Sequence, residues 1–324
     1  MHQPSSIHPA TSSQADDTAD QDAQNIDRKD IDAPQEVELK LALGDGAEQA
    51  LYDHPVLADF IPTHRRLANV YFDTPERDLE RERIALRLRG DGERFVQTVK
   101  TAGSGRGGLH TRGEWETPVA GEALDAPWLS SLCLSPLDQP ALIERLVPVY
   151  RTDFDRTCWQ IEQESHHIEL SLDVGEIVVG AQQVAIFELE LELKRGDQKA
   201  LWALADSLAE HCALRPANAS KAARAAALRD GGRSLLRAEM ADPGACLEHA
   251  IDALDLWQDT RLCEHLYAAR KALGVLARQD DPAVAIPAGH LFEALAHREW
   301  LDARFGQQCL ALMKRLYHTQ SAHS

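Results

Sequence analysis

The chain has 324 residues, 44% of them hydrophobic and 27% charged, enough to fill the cores of two ordinary globular domains. Its 34 Lys and Arg stand against 52 Asp and Glu for a formal net charge of -18, which argues against a broad basic surface for nucleic acid or anionic lipid but allows a local basic pocket. There is no apolar run long enough to span a membrane and no basic-then-apolar start, and the six cysteines form no C-x-x-C pair. A cytoplasmic protein with reduced thiols is expected.

Residues 1–35 are rich in Gln, Ser, Asp, Ala and Pro and nearly free of large apolar side chains, which predicts a disordered acidic tail. From Glu36 the pattern changes to alternation, with strands expected near 36–43, 66–73, 83–89, 94–100, 112–119, 154–161, 167–174 and 184–193. Helical spacing interrupts them at 46–60, 197–213 and 218–230. Beyond Gly231-Gly232 the spacing is helical throughout, with helices expected near 243–258, 260–279, 289–304 and 305–318. The glycine pair is the expected boundary between a first domain, 36–232, and a helical one, 233–324.

Successive residues of a strand point to opposite sides, so each strand can be read for its two faces. The first carries Glu36, Glu38 and Lys40 on one face and Val37, Leu39, Leu41 and Leu43 on the other. Residues 83–89 place Arg83, Ala85, Arg87 and Arg89 together, and the next strand groups Val96, Thr98 and Lys100. Arg112, Glu114 and Glu116 share a face, as do Glu169, Ser171 and Asp173. The last strand sets out Glu188, Glu190, Glu192 and Lys194 in the spacing of the first.

An open sheet with one wet face gives this pattern most economically. The alternative is a closed barrel of about eight strands whose lumen holds side chains and a small ligand. Buried charges of both signs cost several kcal/mol each unless paired or bound, so a charged lumen requires a function to explain it. Carboxylates two residues apart on a strand stand about 7 Å apart, within reach of one or two hard cations, and facing Lys and Arg suit phosphate oxygens.

Several stretches match a known family in order: Glu36-Val-Glu38-Leu-Lys40, Tyr71-Phe-Asp-Thr-Pro75, Leu86-Arg87-Leu-Arg89, Thr98-Val-Lys100, Gly107-Gly-Leu-His-Thr-Arg112-Gly-Glu114, Thr152-Asp-Phe-Asp-Arg156, Leu172-Asp173-Val-Gly-Glu176, Glu188-Leu-Glu190-Leu-Glu192 and Ser220-Lys221-Ala-Ala-Arg224. Over residues 36–230 the sequence resembles the CYTH family of triphosphate tunnel metalloenzymes, of the bacterial inorganic triphosphatase type that carries a helical CHAD-like domain. The resemblance implies an α+β fold in which an eight-stranded antiparallel β-tunnel holds a small polyanionic substrate with Mg²⁺ or Mn²⁺, two ions in all. It implies metal ligation by Glu36, Glu38, Glu188, Glu190 and Glu192, with Glu114 and Asp173 at a second site or orienting water. Phosphate binding falls to Lys40, Arg87, Arg89, Lys100, Arg112, Arg156 and Lys221, and catalysis to Glu36, Glu38, Lys40 and Lys221. Hydrolysis of inorganic triphosphate is the activity implied first. Organic triphosphates and a non-catalytic polyanion sensor are the alternatives, the sensor disfavoured by the retained strand glutamates.

Other features invite less. The Gly-rich run Thr101–His110 lacks the P-loop pattern and is expected to be a flexible connection, with His110 chemically idle. His166-His167 reads as a solvated turn, Tyr71 and Phe72 as packing, and Trp115 as covering the barrel's exterior. The C-terminal helices resemble only the first part of a CHAD domain. Their Glu264-His265 to Arg270-Lys271 stretch has few basic residues, so structure or self-association into a homo-oligomer is expected of them rather than polyphosphate binding.

Overall fold

A computed structural model of the protein describes residues 35–232, 235 and 242–318. The expected acidic tail lies outside the described residues except for Gln35, which opens the first strand. In chain order the elements are β1 (Gln35–Leu43), α1 (Ala47–Tyr52), β2 (Thr63–Asp73), α2 (Asp78–Arg81), β3 (Ala85–Gly90), β4 (Phe95–Lys100), β5 (Ser104–Arg106), β6 (Leu109–Val119), α3 (Ala126–Ser131), α4 (Pro140–Ile143), β7 (Val147–Glu162), β8 (His167–Val179), β9 (Gln182–Arg195), α5 (Lys199–Ala209), β10 (Leu214–Pro216), α6 (Lys221–Arg229), α7 (Pro243–Thr260), α8 (Cys263–Leu276), α9 (Pro282–Ala294) and α10 (Ala303–His318).

The strands settle the choice between open and closed. Their order β1-β9-β8-β7-β2-β3-β4-β6 returns to β1, so eight antiparallel strands form a closed ring. β1 is the closing strand: Glu38 stands opposite Glu192 of β9 on one side and His110 of β6 on the other. β10 extends the sheet beside the end of β1, and β5 folds back on β6.

Closure gives both faces of each strand an inside. Leu39 and Leu41 are wholly buried. They join Ile168, Leu170, Leu189 and Leu191 in one core with α5 and the helices α7–α10, of which α10 leans on β10 and α5. A second apolar layer covers β3 and β4, where Leu86 and Val99 meet Leu129, Leu142 and Ile143 around α3 and α4, and Trp115 packs there, outside the ring. A third sits at one end of the lumen, where Leu67, Phe154, Ile177 and Ile186 pack on Ala225 of α6. Two exposed ion pairs, Arg77 with Asp230 at 3.1 Å and Arg229 with Glu80 at 2.8 Å, tie the same helix to the α2 region.

Several boundaries differ from expectation for local reasons. The helix foreseen at 46–60 stops at Tyr52, and His54 instead caps a separate turn at Pro55–Leu57. Arg83 is excluded from β3 by a left-handed backbone, φ +58, so it does not share the face of Arg87 and Arg89 in that strand. The helix foreseen at 289–304 is replaced by α9, because Asp281 caps Pro282 in the first turn and the chain leaves the helix after Ala294. The Gly-rich run is no loose connection: Gly107 and Gly108, φ +60 and +85, make the two-residue turn of a β5–β6 hairpin. Among the described residues no helix is long and apolar enough to cross a membrane.

Candidate active site

The cross-strand register determines what faces the lumen. Lys40 is opposite Glu190, Arg156 opposite Asp173, Arg87 opposite both Tyr71 and Thr98, and Lys100 opposite Glu114. A cavity of about 1050 Å³ takes in the lumen of the ring, where Glu36, Glu38, Lys40, Arg87, Arg89, Lys100, Arg112, Glu114, Arg156, Glu190, Glu192 and Lys221 line it. Asp173 and Glu188 lie beneath that surface, 0% and 3% exposed, under the ammonium groups that cover them.

Two connected networks fill the wall. In the first, Lys221 Nζ donates to Asp173 at 2.7 Å, to Glu188 at 2.5 Å and to Glu190 at 3.1 Å. Lys40 Nζ donates to Glu188 at 3.1 Å and also to Glu190. Arg156 holds Asp173 in a bidentate pair, both bonds 2.7 Å, and reaches Glu190 at 2.7 Å. The position of Lys221 follows from local sequence: Ser220 caps α6 by accepting the Ala223 amide, which makes Lys221 the first helical residue.

In the second network Lys100 donates to both oxygens of Glu36 at 2.9 Å and pairs with Glu114 at 3.1 Å. Arg112 donates to Glu36 at 2.7 Å and to Glu38 at 2.6 Å. Arg87 and Arg89 stand further off, 3.7 Å from Glu114 and 4.0 Å from Glu116 respectively. Glu192 lies apart from both networks, held at 2.6 Å by Lys194 at the rim.

These surroundings move the acids in opposite directions. Burial would raise Glu36 and Glu188, but Lys100 and Arg112 hold the first at about 2, and Lys221 and Lys40 hold the second at about 2. Glu190 is lowered likewise: burial opposes it, and Lys221, Lys40 and Arg156 prevail. Burial pushes Glu114 up to about 7, with Glu36 and Glu116 adding to the rise and Lys100 and Arg87 resisting it. Lys40 and Lys221, which burial would lower, are raised by the carboxylates facing them.

A depressed carboxyl adds stability that is fully present above its unfolded value of 4.5 and lost as the pH falls through its folded value near 2. Urea midpoints are therefore expected to drop steeply between about pH 4.5 and pH 2, and Glu188→Gln to flatten that limb. A midpoint that stays level through this window would contradict the pairings.

Residues outside the expected set also face the lumen. Glu116 accepts from Thr98 at 2.9 Å, and its place in the alternation with Glu114 was the available signal. Tyr71 stacks on Tyr150 with ring centroids 4.4 Å apart beside Arg87, so its face is inward rather than simple packing. His110 belongs to β6 and not to a loop, and it lines the cavity opposite Glu38. Its Nε2, like Arg87 Nε, is buried without a hydrogen-bond partner, so two donor or acceptor positions remain for a ligand. No sequence periodicity marks Arg224, which reaches Glu188 at 3.5 Å from α6.

The wall also fits a cation. Asp173, Glu188 and Glu190 each offer an oxygen within 4.8 Å of the others, an all-oxygen donor set that suits a hard divalent ion.

The model of the CYTH domain matches residues 34–226, more than half of the chain, and the chain belongs to the CYTH family. Among curated relatives it is 35% identical over 197 residues to an inorganic triphosphatase of Haemophilus influenzae, a match covering 59% of this chain and 54% of that protein. The chain thus spans about half the length of the curated relative it matches. Among solved structures, a Hippeastrum protein described as an adenylyl cyclase candidate with a dominant triphosphatase activity is 22% identical, with 62% of this chain and 99% of that one covered and a TM-score of 0.45. A Pyrococcus horikoshii protein is 21% identical, with 54% and 89% covered and a TM-score of 0.37.

Proposed function

We propose that the protein is a metal-dependent inorganic triphosphatase that hydrolyses tripolyphosphate to pyrophosphate and phosphate inside the tunnel. The observation that carries this reading is the lumen itself: cations and carboxylates, buried together at hydrogen-bonding distance, that a linear polyanion and a divalent metal can divide between them. The 35% identity to the inorganic triphosphatase of Haemophilus influenzae supports it. Residues 36–232 then form the catalytic unit, and 233–324 a helical buttress.

In this reading Asp173, Glu188 and Glu190 hold one Mg²⁺ or Mn²⁺, and Glu36 and Glu38 contribute to a second. Bound there, the metal supplies charge neutralisation and water activation. Lys40, Arg156 and Lys221 transfer hydrogen bonds from carboxylates to phosphate oxygens, and Arg87 donates one through its unpaired Nε. Lys100, Arg112 and Arg89 hold the remaining oxygens along the ring. Water adds to a terminal phosphorus as the bridging P–O bond breaks, and the electron pair leaves on pyrophosphate. Glu114, pushed up to about 7, is suited to take the proton of that water near neutrality.

Phosphate release from tripolyphosphate, ATP, thiamine triphosphate and long polyphosphate, each with Mg²⁺, Mn²⁺ or EDTA, tests the reading. Tripolyphosphate should lead by at least about tenfold, roughly 1.4 kcal/mol of discrimination, and EDTA should abolish release. Binding without turnover of any substrate would favour a sensor. The stacked Tyr71 and Tyr150 in the same lumen favour one further reading, an organic triphosphate whose ring lies on them, and the ATP and thiamine arms decide it.

A further inference from the structure

One stripe of α7 carries Glu248, Asp252, Asp255 and Asp259, spaced as neighbours along a helix face. None of the four lines the cavity. All four nonetheless hold the segment that carries Lys221: Glu248 and Asp252 accept from Asn218 Nδ2 at 2.7 and 3.3 Å, and Asp255 and Asp259 make the charged and main-chain contacts. Asp255, 7% exposed, accepts the main-chain N–H groups of Asn218 at 2.8 Å and Ala219 at 2.9 Å, and takes the buried Arg215 at 2.6 Å. Asn218 Oδ1 in turn accepts the Gly108 amide at 2.8 Å.

The main chain of Lys40 lies between these held pieces. Its N–H donates to the Gly108 carbonyl at 2.8 Å, and its carbonyl accepts the Ala217 amide at 3.1 Å. Ala219 leads directly through the Ser220 cap into Lys221. One turn further along α7, Asp259 takes Arg224 Nη2 at 2.6 Å and Nε at 3.0 Å, and Arg224 also points at Glu188.

We propose that Asp255 and Asp259 are positioning residues, through which the C-terminal helical segment sets the placement of Lys40 and Lys221 against Glu188 and Glu190. The proposal rests on the reading of the lumen as a triphosphate site. A three-residue strand, β10, and the short run from Ala217 to Ser220 give little hydrogen-bonded structure of their own before α6. A charged acceptor with several donors is strongly directional, so it can hold such a run where neutral contacts would leave it loose. Displacement of a reacting group by 1 Å can cost about 10²-fold in rate, which makes a remote anchor kinetically visible.

The test uses the full chain with Asp255→Asn, Asp259→Asn and the conservative Asp259→Glu. Three quantities are measured: amide hydrogen exchange along the chain, melting temperature, and kcat and KM for tripolyphosphate with Mn²⁺. Asp255→Asn and Asp259→Asn should lower kcat by about 10- to 100-fold with a smaller change in KM. Exchange should rise only over 36–43 and 214–229, and Asp259→Glu should recover most of the rate. Wild-type kcat in both asparagine variants overturns the proposal, as does exchange that rises evenly along the chain in step with a lower melting temperature. If Asp255→Asn does not fold, Asp259→Asn carries the test, since its carboxylate anchors a side chain and no backbone. If the unsubstituted chain releases no phosphate from tripolyphosphate, the triphosphatase reading fails, and the exchange pattern still decides the positioning role.

Discussion

Glu190→Gln is expected to lower metal-dependent phosphate release from tripolyphosphate by about 10²- to 10³-fold, the scale seen when one preorganised electrostatic contact to a transition state is removed. Glu190 is the acid on which Lys40, Lys221 and Arg156 converge, and it belongs to the oxygen triad with Asp173 and Glu188. Replacing its charge with an amide of the same shape weakens the metal site and releases three cations from an anionic partner. Turnover and binding should therefore move in opposite directions: calorimetry in EDTA should show tripolyphosphate bound as tightly as by the wild type or more so. Loss of binding together with turnover would mean that Glu190 acts through the fold alone, and an unchanged rate would remove it from the site.

Lys40→Met should produce the largest loss of stability of any lumen substitution. Lys40 is 2% exposed, and its ammonium faces Glu188 and Glu190. Removing one partner of a buried pair leaves uncompensated charge, a cost of about 3–5 kcal/mol. Without Lys40 those two carboxyls lose a cation that lowers them, so their folded values rise and they take up protons in mild acid. The deficit should accordingly be greater at pH 7.5 than at pH 5 in urea unfolding, and Mg²⁺ should recover part of it by restoring positive charge beside Glu188 and Glu190. A deficit independent of both pH and metal would point to lost packing instead.

The parity of the strands was legible because the pleat fixes which residues share a face. From it came the grouping of Glu36, Glu38 and Lys40, and of Glu188 and Glu190, on a common side. Parity does not say whether a charged face is bathed or enclosed, and that depended on β1 finding β6 as well as β9. Gly107-Gly108 reads as a flexible run because β5 is only three residues long and carries no alternation of its own, which puts His110 in a loop rather than in β6. The missed start of α9 has a similar origin: Pro287 looks like a boundary, yet it sits buried within the helix that Asp281 and Pro282 begin. The contacts of Arg224 and of the acidic stripe of α7 join side chains 30 or more positions apart, which strand and helix periodicity does not encode.

The closing of the ring through its first strand also bears on how the chain acquires its shape. Lys40 is 148 positions from Glu188 and 150 from Glu190, so the two walls of the first network come from opposite ends of the barrel sequence. Contacts this distant must repay a large loss of chain freedom before they stabilise anything, which places such folds among the slower ones. During synthesis β1 emerges early and has neither neighbour until β6 and then β9 follow, so its apolar side, Leu39 and Leu41, waits longest for cover. The strand that supplies the signature charges is thus the one most exposed to misassembly, and the ring closes only once β9 has paired with it.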